Sequence, residues 1–303
     1  MATPSARKLA ASALERYLES LRTGRRLAGH TLAAYGRDAR LLESLAGERA
    51  LAALTSHDIR RFVATLHGQG LAPRSLARVL SAWRGFFAWL TRHREAASNP
   101  CTGVRAPRAP KKLPEVLSPD AAVRLVAIDD ASDLGLRDRA IFELAYSCGL
   151  RVSELTGLDL GAVDAATGEV RVTGKGSKTR IVPVGRPALA ALAAWLPARS
   201  RIAKPGERAL FVGRAGLRAT PRDVQRRIKR WAAAAGIEAD VHPHMLRHSF
   251  ASHVLQSSGD LRAVQEMLGH ASIASTQVYT HLDFQHLAKV YDAAHPRARR
   301  RKA

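Results

Sequence analysis

Apolar residues recur at helical spacing in four segments of the first hundred residues. The segments run over Leu9–Leu21, Leu32–Leu45, Ile59–Leu66 and Leu76–Leu90. A repeat of three or four residues places the apolar side chains on one face of a helix, so we expect four amphipathic helices. Thr31 and Ser56 stand where N-caps are expected, and Gly47, Gly68 and Gly70 stand where the helices are expected to end.

The pattern breaks after these helices. Ser98-Asn99-Pro100 begins a stretch rich in proline and basic residues, which is typical of a stiff, extended linker. A new helix start follows at Ser118-Pro119, with serine as the N-cap and proline at the first helical position. We therefore expect two domains, residues 1–109 and 110–303.

The second domain combines helical periodicity with one segment of a different kind. Helices are expected at 119–128, 136–148, 187–199, 221–235, 243–257 and 260–268. Between residues 169 and 184, two β-branched runs flank the Gly-rich segment Thr173–Lys178, which predicts a β-hairpin. The expected fold is therefore mainly α, with a small β-hairpin or sheet. The aromatic residues Trp83, Phe86, Phe87 and Trp89 are expected to pack in the core of the first domain.

The charge of the chain points to its partner. Lys and Arg number 48 against 26 Asp and Glu, which gives a formal net charge of +22. Residues 1–109 and residues 110–303 each carry +11, so the charge does not come from a basic tail. This balance disfavours an ordinary metabolic enzyme and indicates a polyanionic partner, most often nucleic acid.

Cysteine content and hydropathy limit the class of protein further. Two cysteines, Cys101 and Cys148, are too few for a disulfide scaffold or a Cys-rich zinc site. Charged residues interrupt any apolar segment near the start, so no secretory signal is expected. The longest uncharged apolar run, Pro187–Ala198, is too short to span a bilayer. We expect a cytoplasmic protein without a membrane partner.

Histidines are concentrated near the end of the chain, where seven of the twelve lie between residues 242 and 286. His244 and His248 are four apart and share a helix face. The zinc-protease pattern needs glutamate after the first histidine, but Met245 occupies that position. Carboxylates are also too few here for a two-metal nuclease. Metal binding is therefore disfavoured.

The same region can instead handle a phosphate. His244 and Arg247 are neighbours on a helix surface, and the planar guanidinium matches two phosphate oxygens. A second arginine, Arg151, follows Cys148-Gly149-Leu150, where one helix is expected to end and another to begin. Glu154, three residues later, can hold the guanidinium in place. Lys175 stands at the tip of the expected hairpin. Its surroundings lack the residue order of a nucleotide-binding phosphate loop.

Each of these residues also has an ordinary structural interpretation. Arg151 alone would more often form a helix-end ion pair, and Lys175 alone would be a solvated turn residue. His270 can cap a helix C-terminus, where positive charge is favoured. Tyr279 alone would be a core or surface residue. Only their joint occurrence favours a catalytic set.

That set resembles the tyrosine recombinase (phage-integrase-like) family. The resemblance rests on Ser-Cys-Gly-Leu-Arg-Val-Ser-Glu-Leu at 147–155, Gly174-Lys175-Gly176, His-Met-Leu-Arg-His-Ser-Phe at 244–250, Leu268-Gly269-His270 and Tyr279. It covers nearly the whole chain, because the N-terminal helices look like the family's core-binding (SAM-like) domain. The remainder then corresponds to the α+β catalytic domain. The ending at 291–298 resembles the branch that resolves chromosome dimers.

The resemblance implies a role for each residue. Tyr279 would attack a DNA phosphodiester and form a 3′-phosphotyrosyl link, and it needs help because the pKa of tyrosine is about 10. Arg151 and Arg247 would stabilise the charge on the phosphate. Lys175 would protonate the leaving 5′-oxygen. His244 would act as general base or proton relay, and His270 would hydrogen-bond the phosphate. No metal or nucleotide cofactor would be required, because the bond energy is kept in the phosphotyrosine.

The resemblance also implies partners. Double-stranded DNA would be clamped by both domains across the basic linker, within a tetramer that exchanges the stretch from about residue 283 between neighbours. A second, related recombinase and a septal DNA translocase are expected to take part. A phage or integron-type integrase, a type IB topoisomerase-like enzyme and a non-catalytic DNA-binding protein remain alternatives.

Overall fold

The chain divides into two compact units, Met1–Lys112 and Leu113–Ala303. The structure is a computed structural model, and it describes residues 4–24, 29–108, 115–174, 179–268, 290–291 and 293–296. Each unit has its own hydrophobic core. The two are described separately below.

The first unit is helical, as predicted. Its described residues form α1 (Pro4–Thr23), α2 (Gly29–Ala46), α3 (Ser56–Gly68) and α4 (Pro73–Arg92), with a 3₁₀ turn at Leu51–Ala53. The aromatic side chains of α4 are buried in the core, which confirms the packing expected for them. The indole N–H of Trp83 donates a hydrogen bond to the backbone oxygen of Asp38 at 2.7 Å.

Both predicted N-caps of this unit are wrong. Thr31 lies inside α2, because the helix begins before it, at Gly29. Ser56 is the first residue of α3, and Thr55 is the cap. The Thr55 hydroxyl accepts a hydrogen bond from the Asp58 backbone N–H at 3.4 Å, while the Asp58 carboxylate accepts one from the Thr55 N–H at 2.9 Å. This reciprocal pair satisfies two backbone donors at the helix start.

The second unit packs helices around a small antiparallel sheet. Its described helices are α5 (Pro119–Val126), α6 (Asp133–Cys148), α7 (Val152–Thr156), α8 (Arg186–Ile202), α9 (Pro221–Ala234), α10 (Pro243–Ser258) and α11 (Leu261–Leu268). The described strands are β1 (Val163–Asp164), β2 (Glu169–Thr173) and β3 (Thr179–Pro183), paired in the order β1-β2-β3.

The predicted hairpin is present as β2 and β3, with Glu169 opposite Pro183 and Thr173 opposite Thr179. The Ser118 hydroxyl caps α5, as predicted. The end of one helix and the start of another at Gly149–Arg151 were predicted, and they correspond to the α6–α7 turn. Strand β1 was not predicted, because an element of two residues is too short to show a period. Helix α6 begins one turn before the predicted start, at Asp133.

Helix α6 forms the centre of the second unit, and most of its side chains are buried. It packs against α8 and α10, so the helix that carries His244 and Arg247 rests directly on the core. Both cysteines are buried and free, and burial raises the pKa of each thiol to about 12. Within the described parts of the chain, no helix has the length and apolar character needed to cross a membrane.

Candidate active site

A sharp turn between α6 and α7 presents Arg151. Gly149 ends α6 with a left-handed φ of 58°, and an added Cβ there would lie 2.4 Å from the ring of Phe250. Glycine is therefore required both by conformation and by space. The chain then enters α7, where the Glu154 carboxylate accepts hydrogen bonds from the Arg151 backbone N–H at 2.9 Å and from its Nη1 at 2.8 Å. Glu154 thus holds Arg151, as expected.

Arg247 reaches the same carboxylate from α10. Its Nη1 donates to the backbone oxygen of Gly149 at 2.5 Å, and its Nη2 donates to that of Leu268 at 2.6 Å. The same Nη1 lies 4.0 Å from Glu154 Oε2. Burial, with the nearby charge of Arg151, lowers the pKa of Arg247 to about 10, so the guanidinium still carries its charge near pH 7. The structure therefore brings Arg151, Arg247 and Glu154 together.

A third arginine, Arg180 of β3, belongs to this cluster and was not identified from the sequence. Its Nη1 and Nη2 donate to the two oxygens of Glu154, each at 2.9 Å, and its Nε donates to the backbone oxygen of Met267 at 3.0 Å. The alternation of β3 carried a signal, because Arg180 shares the buried face with Val182 while Thr179 is exposed. A buried arginine needs a partner, but the sequence does not identify Glu154 as that partner.

The cluster has a net positive charge. Burial would raise the pKa of Glu154, but the hydrogen bonds from Arg180 and Arg151 outweigh it and lower that pKa to about 2. The carboxylate is therefore ionised near neutral pH. Three guanidinium groups around one carboxylate give a local charge of +2, which favours an anion. Arg151 remains 38% exposed at its side chain, so the cluster is accessible.

His244 is on α10, one turn before Arg247, with its side chain exposed. Its ring stacks on that of His248 with 6.0 Å between the centroids. Partial burial lowers the pKa of His244, and the neighbouring His248 and Arg247 lower it further. The imidazole is therefore neutral near pH 7 and can accept a proton.

Three predicted site residues, Lys175, His270 and Tyr279, lie outside the described residues, and their roles stay predictions. The flanking elements are described: β2 ends at Thr173 and β3 begins at Thr179. In the described part of the chain, no group of three or more His, Cys, Asp or Glu side chains is arranged to hold a metal.

The C-terminal stretch expected to be exchanged between neighbours is described only in part. Tyr291 is buried in the second unit, and its hydroxyl hydrogen-bonds with the Ser147 hydroxyl of α6 at 2.6 Å. The exchange itself stays a prediction.

Two family profiles match this chain. The phage integrase family matches residues 115–286, and the phage integrase N-terminal SAM-like domain matches residues 14–94. Together they span most of the chain, and they cover most of the helical first unit and the cluster around Glu154. The chain therefore belongs to the phage integrase family.

Curated relatives narrow the class. The chain is 54% identical to tyrosine recombinase XerC of Ralstonia pickettii (strain 12J), over 94% of either chain. It is 52% identical to XerC of Pseudomonas aeruginosa (strain PAO1), over 95% of this chain and 96% of the relative. The protein is thus a XerC-like tyrosine recombinase, an enzyme of site-specific DNA recombination.

Solved structures share the fold. A lambda integrase dimer bound to a COC′ core site superposes with a TM-score of 0.69 at 18% identity, covering 89% of this chain and 99% of that one. The XerH recombinase bound to its difH substrate gives a TM-score of 0.66 at 24% identity, covering 91% and 82%. These neighbours confirm the expected mainly helical fold with its small sheet.

Proposed function

We propose that this XerC-like enzyme cuts and rejoins double-stranded DNA at a specific site, with Tyr279 as the nucleophile. The observation that supports the proposal is the convergence of Arg151 and Arg247 on Glu154, which leaves a positively charged cluster at an accessible surface. A phosphodiester carries the negative charge and the paired oxygens that such a cluster binds. The order of the remaining residues along the chain agrees with this chemistry.

In the cleavage step, the Tyr279 hydroxyl oxygen bonds to phosphorus and the bond from phosphorus to the 5′-oxygen breaks. His244, neutral near pH 7, takes the tyrosine proton or relays it, and Lys175 gives a proton to the leaving 5′-oxygen. Arg151 and Arg247 stabilise the charge that builds up on the non-bridging oxygens. Such a preorganised donor typically contributes a factor of about 10² to 10³ in rate.

Rejoining reverses these bonds on a new strand. The oxygen of a free 5′-hydroxyl bonds to the phosphorus of the phosphotyrosine, and the bond from phosphorus to the Tyr279 oxygen breaks. The 5′-hydroxyl loses its proton, and the Tyr279 oxygen gains one. One phosphate ester replaces another, so the reaction needs no oxidant and no nucleotide. We therefore propose catalysis without a cofactor, with His270 as a further hydrogen-bond donor to the phosphate.

Exchange between two DNA sites requires four active centres, so we propose a tetramer on DNA. Residues 1–109 would clamp the duplex and residues 110–303 would carry out the chemistry. The XerC relatives and the DNA complexes of lambda integrase and XerH support this assignment. We further propose a cytoplasmic enzyme that resolves chromosome dimers during segregation and cell division, with a XerD-like second recombinase and an FtsK-like septal translocase as partners.

The test is covalent trapping on a nicked suicide substrate that carries the candidate chromosomal site. We expect the unmodified protein to form an SDS-resistant adduct and Tyr279→Phe to bind the DNA without forming one. Tyr35→Phe, a change of the same type in the first unit, should form the adduct normally. An adduct with Tyr279→Phe would exclude Tyr279 as the nucleophile. Holliday junctions formed from two sites would distinguish strand exchange from simple relaxation.

A further inference from the structure

Arg180 has no part in the chemistry proposed above, although it is one of the least exposed charged residues of the second unit. Its relative exposure is 6%. Removing a guanidinium from water is costly unless its charge and its donors are matched. At Arg180 both are matched, because the two Nη groups bind Glu154 and Nε binds the Met267 carbonyl. The surroundings of Arg180 therefore match its charge and its hydrogen-bond donors, and its partner Glu154 also holds Arg151.

The geometry connects three elements that carry site residues. Arg180 lies on β3, which follows Lys175 in the sequence, and Glu154 lies on α7 next to Arg151. The Met267 carbonyl belongs to the last turn of α11, where Leu268 accepts from Arg247. A bidentate fork fixes the plane of the carboxylate as well as its position.

We propose that Arg180 is a positioning residue of the recombination site and that it acts through Glu154. By binding both carboxylate oxygens, it directs Glu154 toward Arg151 and keeps it from drawing Arg247 away from the scissile phosphate. The inference rests on the proposed function.

The charges around Glu154 give the physical reason. With Arg180 in place, the cluster carries +2, and Glu154 is already satisfied by Arg180 and Arg151. Without Arg180, the charge of the cluster falls to +1, and the buried Glu154 carboxylate loses two hydrogen bonds. Arg247 is the nearest replacement, since its Nη1 is already 4.0 Å from Glu154 Oε2. A guanidinium that pairs with Glu154 is less available to a phosphate.

Arg199 provides a matched control for the general cost of removing a buried arginine. It lies on α8 in the same unit and is also 6% exposed. Its Nε and Nη2 donate to the backbone oxygens of Ala209 and Glu207, at 2.8 and 2.6 Å. It therefore resembles Arg180 in burial but does not contact Glu154.

The experiment measures the single-turnover rate of adduct formation on the nicked substrate at saturating protein, with DNA affinity measured in parallel. Arg180→Met is expected to slow adduct formation by about 10- to 100-fold, the range found when a residue that orients a metal ligand is removed. DNA affinity should change little, because it comes from many phosphate contacts. Arg199→Met should retain a rate close to that of the unmodified protein.

The decisive comparison is made in the Glu154→Gln background. If Arg180 acts through Glu154, then adding Arg180→Met to Glu154→Gln should change the rate by less than about threefold, because strong non-additivity is the mark of residues in one network. This comparison still applies if Arg180→Met alone does not fold, since the double variant has no unpaired buried carboxylate.

Two results would overturn the inference. One is an Arg180→Met rate equal to that of Arg199→Met, and the other is a tenfold or greater loss when Arg180→Met is added to Glu154→Gln. Failure of the proposed function would look different, because the unmodified protein would then form no adduct at all.

Discussion

At the scale of single residues, Arg151 and Arg247 differ in how firmly they are held. Arg247 is 7% exposed at its side chain and is fixed by two backbone carbonyls. Arg151 is 38% exposed, and among the described residues its side chain is held by Glu154. A donor that is already held in place loses little conformational freedom when the phosphate changes shape. Arg247 is therefore the more preorganised of the two.

Arg247→Lys tests this view of a fixed guanidinium. An ammonium group keeps the charge but cannot bind two carbonyls and a phosphate with the geometry of a planar fork. We expect adduct formation to slow by about 10²-fold or more, measured in single turnover on the nicked substrate. Arg262→Lys, on the exposed surface of α11, should have no such effect. Near-normal cleavage by Arg247→Lys would remove Arg247 from the site.

The acid limb of the pH profile tests His244. Its pKa lies below the usual value of about 6.5 because its ring is partly removed from water and because His248 and Arg247 are close to it. A general base must be unprotonated, so the rate of adduct formation should fall as the pH drops through the pKa of His244, and the midpoint of that fall should lie below the pKa of an unperturbed histidine. His248→Gln removes a charge that lowers the pKa of His244, and it should move this fall to higher pH. His67→Gln, in the first unit, should leave the profile unchanged.

At the scale of elements, the periodicity of the apolar residues predicted the helices and strands that are long enough to show an amphipathic pattern. The four helices of the first unit and the β2–β3 hairpin follow from spacing alone. In contrast, α7 is five residues long, and its position depends on the turn at Gly149 and on the pairing of Arg151 with Glu154. Arg180 was missed for a related reason, since its partner is 26 residues away along the chain. Pairings of that range depend on the fold and not on local pattern.

The α6–α7 turn can be tested through its glycine. Gly149→Ala would place a non-glycine residue at a φ of 58° and a Cβ 2.4 Å from Phe250. Gly236, after α9, has a φ of 65° with nothing within 4 Å of an added Cβ. Gly236→Ala should therefore lower the free energy of unfolding by only the conformational cost, about 1–2 kcal/mol. Gly149→Ala should lose about 1–3 kcal/mol more through overpacking. Equal losses in urea unfolding would show that the contact with Phe250 is unimportant.

At the scale of the whole molecule, net charge and the site carry different information. The charge of +22 is divided equally between residues 1–109 and residues 110–303, and it predicted a polyanionic partner without indicating any reaction. The reaction became predictable only through the ordered set of Arg151, Lys175, His244, Arg247, His270 and Tyr279. The net charge of the cluster around Glu154 was not predictable, because it depends on the buried Arg180.

The equal division of positive charge between the two domains leads to a prediction about DNA binding. If both units contact phosphates, many counterions are released on binding, and the affinity of Tyr279→Phe for its site should fall by about 10³-fold or more between about 50 and about 200 mM salt. Arg74→Gln in the first unit and Arg222→Gln in the second, both at exposed positions, should each reduce the slope of log affinity against log salt by about 0.9 if each contacts one phosphate. Such losses in both units would support the clamp, because a single binding face would respond to changes in one unit only. A nearly flat salt dependence would contradict it.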